Sequence, residues 1–234
     1  PLGVYRDKKS DRVIVPVPQK PVAEVLELDK EAAPVAPHHH AADISIKVAG
    51  FGGQGVLLLG ILLAEMGMRE GREVSWLPSY GPEMRSGSAH CHVRFSRERI
   101  GSPLISHPEV LIAMNEISLR KFAPSVAPGG LILYNRSELP QDFSAAQARV
   151  VCLPASEVAD KLGSTKVANV IMLGALLEET ECLSFETAMA VIEKMVKGKP
   201  ELLKIDREAL QAGRGFIDKE VRVGPVSQPD GFAY

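Results

Sequence analysis

At 234 residues with 45% hydrophobic content, the chain can bury the core of one ordinary domain with appendages. Lys and Arg total 27 against 29 for Asp and Glu, so no global field recruits nucleic acid or an anionic membrane. The 3 cysteines, Cys91, Cys152 and Cys182, are far apart and form no CxxC pair, which argues against a disulfide framework, cluster or zinc site and fits a reducing cytoplasm.

Residues 1–42 carry Pro16, Pro18, Pro21, Pro34 and Pro37, several charges and the run His38-His39-His40. This composition reads as an extended arm, expected to dock on a partner or neighbouring copy, and its histidine tract as incidental to function. The most apolar stretch, Val56 to Met68, is interrupted by Gly60 and Glu65 and falls short of the roughly 20 residues of a membrane span. Neither a transmembrane helix nor a signal peptide is expected.

After the arm, Ile44 to Ala49 is a β-branched run that predicts a strand. Gly55 to Arg69 has helical spacing of apolar residues, with Gly71 as a stop. Strands are predicted at Glu73–Leu77, Ala89–Phe95, Val110–Met114, Leu131–Tyr134 and Val150–Leu153, and helices at Ala155–Leu162, Val167–Glu179, Ser184–Lys197 and about Leu202–Ala212. Ser184-x-x-Thr187 is an imperfect capping box. Alternation of strand and helix predicts an α/β, Rossmann-like, mainly parallel sheet with helices on both faces. The organisation expected is an arm over 1–42, one α/β domain over 43–220 and a tail over 221–234.

Gly50-Phe51-Gly52-Gly53-Gln54-Gly55 has the spacing of a dinucleotide fingerprint and sits between a predicted strand and helix. Glycines let the backbone turn tightly and approach an anion, and the unpaired N–H groups at the helix start favour a phosphate. The alternative is that these glycines only permit tight strand-to-helix packing. A nicotinamide or flavin dinucleotide would also need an acid at the end of the second strand, where this chain reads Trp76-Leu77-Pro78-Ser79. The missing carboxylate leaves room for another phosphate-bearing adenine nucleotide, such as coenzyme A.

The following segment, Ser79-Tyr80-Gly81-Pro82-Glu83-Met84-Arg85, belongs at the carboxyl edge of the sheet, where doubly wound folds bind ligands. Arg85 suits bidentate phosphate contact, with Arg94, Arg97 and Arg99 as further donors, although Arg97-Glu98-Arg99 also reads as a hairpin tip. His90 and His92 share one strand face and Cys91 takes the other. With no third ligand at a recognisable spacing, no metal is expected there.

Three blocks in this order, Gly50 to Gly55, Ser79 to Arg85, and Asn169-Val170-Ile171-Met172-Leu173-Gly174-Ala175, resemble the gamma subunit of the 2-oxoacid:ferredoxin (acceptor) oxidoreductases. That family includes the pyruvate, ketoisovalerate, 2-oxoglutarate, indolepyruvate and phenylglyoxylate types. Smaller echoes are Ile100-Gly101-Ser102-Pro103 and Pro108-Glu109-Val110-Leu111-Ile112-Ala113. Arg85-Ser86-Gly87 departs from the family's usual Arg followed by two glycines.

The resemblance implies a subunit that presents coenzyme A for acyl transfer. Its partners would be alpha, beta and ferredoxin-like delta subunits holding thiamine diphosphate, Mg and 4Fe-4S clusters, and the electrons would go to ferredoxin or to an NAD-reducing subunit. The site residues it implies are Gly50, Gly52, Gly53, Gln54, Gly55, Ser79, Tyr80, Gly81, Glu83, Arg85 and Asn169, with no catalytic side chain assigned in this chain. Two rivals stay open: a stand-alone dinucleotide-binding oxidoreductase and a non-catalytic assembly subunit.

Overall fold

The computed structural model describes residues 43–79, 88–145 and 147–217. The arm, the tail and the segment bearing Tyr80, Gly81, Glu83 and Arg85 lie outside the described residues.

Six strands form one sheet: β1 (Ile44–Phe51), β2 (Glu73–Ser79), β3 (Ser88–Ser96), β4 (Val110–Ala113), β5 (Leu131–Tyr134) and β6 (Arg149–Cys152). Their order is β2-β3-β1-β4-β5-β6. β1, β4, β5 and β6 pair in parallel, and β3 runs antiparallel to both β1 and β2. The sheet is therefore mainly parallel as expected, but β3 is a reversed strand inserted between β1 and β2. Pro78 is tolerated because β2 is an edge strand that needs no second row of donors.

The runs VLIA of β4 and LILY of β5 are buried at every position, as strands covered on both faces must be. On one face lie α1 (Val56–Arg69), α3 (Ala155–Lys161), α4 (Ala168–Thr180), α5 (Phe185–Met195) and α6 (Pro200–Ile217), packed on Ile46, Val48, Val93, Ile112 and Leu133. The other face, Ala49, Leu111, Ala113, Ile132 and Tyr134, packs on α2 (Glu116–Phe122) through Leu119 and Phe122. Helices thus flank both faces, but among the described residues five lie on one side and α2 on the other.

Local chemistry sets the element ends. Gly71 stops α1 at φ 72°, its N–H donating to the Met68 carbonyl. The Ser184 hydroxyl accepts from the Thr187 N–H at 3.0 Å and caps α5, while its own N–H donates to Glu70 Oε1 at 2.8 Å, so Glu70 takes the place of the missing box acid. α4 is buried from Ala168 to Leu177 because α6 covers its outer side, crossing where Gly174 faces Leu210 and Gly213 faces Ile171.

Candidate functional site

β1 ends at Phe51 and α1 begins at Val56, so the glycine segment is the tight connection between the central strand and the first helix. Gly53 and Gly55 have φ of 91° and 73°, a left-handed conformation that other residues adopt only with strain. The two glycines differ in surroundings. A Cβ at Gly53 would meet nothing within 4 Å, whereas one at Gly55 would lie 2.7 Å from Asn169 Nδ2. Gly52 and Gly53 are exposed. Among the described residues no acceptor meets the amides of Gly52, Gly53, Gly55 and Val56. Four donors at the positive end of a helix are what an anionic diphosphate requires.

The turn is held from within by Gln54. Its Oε1 accepts from the Phe51 N–H at 2.7 Å and from Asn115 Nδ2 at 2.8 Å, and its Nε2 donates to the Met114 carbonyl at 3.1 Å. Gln54 therefore shapes the turn, with both ends of its side-chain amide bound by protein groups. Gly50 is a packing glycine: a Cβ there would lie 2.7 Å from Val56 and 2.8 Å from Met114. From α4, Asn169 Nδ2 donates to the Gly55 carbonyl at 3.4 Å, and its buried Oδ1 has no partner. An unpaired buried acceptor costs about 1–3 kcal/mol, which the fold carries beside this turn.

Three residues missed in the sequence complete the framework. Asn115 caps α2 by accepting from the Ser118 N–H at 2.8 Å. Asn135 donates to the Met114 carbonyl at 3.3 Å and to Ser156 Oγ at 2.8 Å, and accepts from the Ser156 N–H at 2.9 Å. Hydrogen bonds thus run from Gln54 to Ser156 along the carboxyl ends of β1, β4 and β5. The signal was present: each apolar strand is followed by an asparagine, in Ala113-Met114-Asn115 and in Leu133-Tyr134-Asn135.

Ser79 ends edge strand β2 and lies opposite His90, while Ser88 opens β3 opposite Phe51. Both ends of the intervening segment therefore stand at the edge that holds the glycine turn. Arg94, Arg97 and Arg99 do not join it. Antiparallel β3 carries them to the amino end of β1, where Phe95 lies opposite Ile44 and Arg94 and Arg99 line a separate cavity with Asp43 and Glu109. Nor is Arg97-Glu98-Arg99 a hairpin tip, because the chain crosses from β3 to β4 on the far side of β1.

His90 and His92 share the face opposite α1, and Cys91 packs beneath α1, as alternation requires. Burial first, then the positive charge of Lys47, holds the His92 imidazole down to about 4, and its Nδ1 accepts from the Ile105 N–H at 3.1 Å. Burial pushes the Cys91 thiol up to about 12 and Cys182 up to about 11, which makes both poor nucleophiles at neutral pH. No group of three or more His, Cys, Asp or Glu able to hold a metal ion occurs among the described residues, and no described helix is long and apolar enough to cross a membrane.

The fold and turn define an α/β domain with a glycine-rich strand-to-helix connection after its central strand. The chain belongs to the pyruvate ferredoxin/flavodoxin oxidoreductase family, whose model matches residues 45–216. It is 41% identical over 180 residues to ketoisovalerate oxidoreductase subunit VorA of Methanothermobacter thermautotrophicus, a match covering 76% of this chain and 37% of that relative. It is 34% identical over 179 residues to 2-oxoglutarate synthase subunit KorC of Methanothermobacter marburgensis, covering 74% of this chain and 95% of KorC. Among solved structures, it resembles 2-oxoglutarate:ferredoxin oxidoreductase from Magnetococcus marinus with 2-oxoglutarate, coenzyme A and succinyl-CoA bound, at a TM-score of 0.70 and 26% identity over 80% of this chain and 33% of that one. The gamma subunit of keto/oxoacid ferredoxin oxidoreductase from Geobacter sulfurreducens shares the fold, at a TM-score of 0.65 and 24% identity over 76% of this chain and 99% of that one. The chain thus spans about a third of the VorA and Magnetococcus chains and nearly all of KorC and the Geobacter subunit.

Proposed function

We propose that this chain is the gamma-type unit of a 2-oxoacid:ferredoxin oxidoreductase and presents coenzyme A for acyl-CoA formation. The observation that carries the reading is the turn itself: four unpaired amides, two left-handed glycines and a glutamine that locks their geometry. Topology weighs against a nicotinamide dinucleotide. In a dinucleotide fold the acid that takes the ribose hydroxyls stands on the strand next to β1. Here that neighbour is the reversed strand β3, and β2 lies about 10 Å from β1 at two strand spacings.

Coenzyme A, when bound, supplies a thiol that accepts the acyl group. The chain's own residues do the positioning. The amides of Gly52, Gly53, Gly55 and Val56 would hold the diphosphate, and Gln54 and Asn169 would fix the turn so that little ordering is required on binding. Ser79 at the end of β2, and Tyr80, Gly81, Glu83 and Arg85 from the sequence motif that follows it, are included in the proposed site. Decarboxylation and electron transfer fall to alpha, beta and ferredoxin-like delta partners bearing thiamine diphosphate, Mg and 4Fe-4S clusters, with ferredoxin or an NAD-reducing subunit as acceptor.

Calorimetric titration of the chain and of its complex with coenzyme A, dephospho-coenzyme A and NAD tests the reading. Saturable binding of coenzyme A with little response to NAD is expected, and tight binding of NAD alone overturns it.

A further inference from the structure

The sheet face opposite α1 carries a group of cations that the turn does not use. Lys47 on β1 lies opposite His92 on β3, two residues before Ala49 and its partner His90, so all three side chains leave the sheet on one side. Phe122 from α2 forms the floor, with the Lys47 ammonium 4.7 Å and the Lys121 ammonium 5.1 Å from its ring centre, and His90 5.0 Å away centre to centre. The His90 and His92 rings are 5.8 Å apart.

Lys47 is 7% exposed and forms no ion pair among the described residues. The named charges acting on Lys47, His90 and His92 come from Lys47, Lys121 and His90, with no carboxylate among them, and burial and these like charges hold all three groups below their usual values. Buried cations are normally paired, because desolvation without a counter-charge is costly. Donor and acceptor atoms remain available. His92 Nδ1 accepts from the Ile105 N–H, so its proton sits on Nε2, and the buried Nδ1 of His90 has no partner.

We propose that Lys47, His90 and His92, with Lys121 at the rim, form a second oxyanion site that takes a phosphate group. A bound phosphate supplies a negative charge that no described carboxylate provides there, accepts from the Lys47 ammonium and the His92 Nε2–H, and gives His90 a reason to be protonated. Along β1 the site lies roughly 10 Å from Gly52 at the level of His90 and roughly 16 Å at the level of Lys47 and His92, at about 3.3 Å per strand residue. The phosphate can come from free inorganic phosphate or from the ribose phosphate of the ligand proposed for the turn. The second source rests on the coenzyme A reading and the first does not.

Side-chain NMR of the full-length chain follows the His90 ring, assigned by its loss in His90→Asn, during titration with inorganic phosphate, coenzyme A and dephospho-coenzyme A. Inorganic phosphate should raise the His90 titration midpoint saturably, with apparent affinity at least about tenfold weaker in Lys47→Met and also weakened in Lys121→Gln, a change at an exposed position. A shift with coenzyme A but not its dephospho form assigns the ribose phosphate as the source. A shift with inorganic phosphate alone assigns the free anion, and survives failure of the coenzyme A reading. No saturable shift with either phosphate source, or an unchanged response in Lys47→Met, overturns the proposal.

Discussion

Asn169 of α4 reaches the Gly55 carbonyl of the glycine turn, its Nδ2 donating at 3.4 Å, and Gly55 has no room for a Cβ on that side. A helix more than a hundred residues downstream is thereby tied to the glycine connection between β1 and α1. Gly55→Ala adds a methyl 2.7 Å from Asn169 Nδ2 at φ 73°. Steric overlap and left-handed strain together predict a loss of about 2–4 kcal/mol, read from the urea midpoint. Asn169→Ala in the same chain should recover part of that loss, a coupling that a double-mutant cycle measures.

Gln54→Glu replaces a donor aimed at the Met114 carbonyl with a second oxygen and adds a negative charge where a diphosphate is proposed. Stability should fall by about 1–3 kcal/mol and the dissociation constant for coenzyme A should rise at least about tenfold. Calorimetry with denaturant unfolding separates the two effects, and an unchanged affinity would remove the turn from the ligand site.

His92 makes stability depend on pH. Its folded value of about 4 lies below the ordinary 6.5, so on acidification the unfolded chain binds the proton first. The fold should lose stability as pH falls from about 6.5 to about 4, by about 1–2 kcal/mol after allowing for solvent that reaches the ring. His92→Asn keeps an acceptor for the Ile105 N–H and should flatten unfolding midpoints in that window.

Gly174 and Gly213 let α4 and α6 touch backbone to backbone: a Cβ at either would overlap the carbonyl oxygen of Leu210 or Ile171. Neither backbone can yield as a side-chain tip would. Each glycine-to-alanine change should cost about 3 kcal/mol or more, which differential scanning calorimetry would show as a fall in Tm.

Much of this architecture is legible in the chain because burial on both faces leaves continuous apolar runs, as in β4 and β5, and because Gly71 and Ser184 punctuate helix ends. The position of β3 is not. Alternation in Ala89–Phe95 gives a strand but not its direction, and an antiparallel insertion next to β1 is fixed only by pairing. That one unknown misplaced Arg94, Arg97 and Arg99, which the reversed strand carries to the far edge. The glycine segment was legible as a tight strand-to-helix turn, but the work of Gln54 was not, since its partners Met114 and Asn115 lie some 60 residues away in the chain.

The central claim is that the amides of Gly52, Gly53, Gly55 and Val56 receive the diphosphate of coenzyme A. Backbone amide NMR of the labelled chain during titration with coenzyme A tests it most directly. The account predicts that these four resonances move together and saturate with the calorimetric dissociation constant. Saturable binding that leaves all four unmoved while amides elsewhere shift would contradict it.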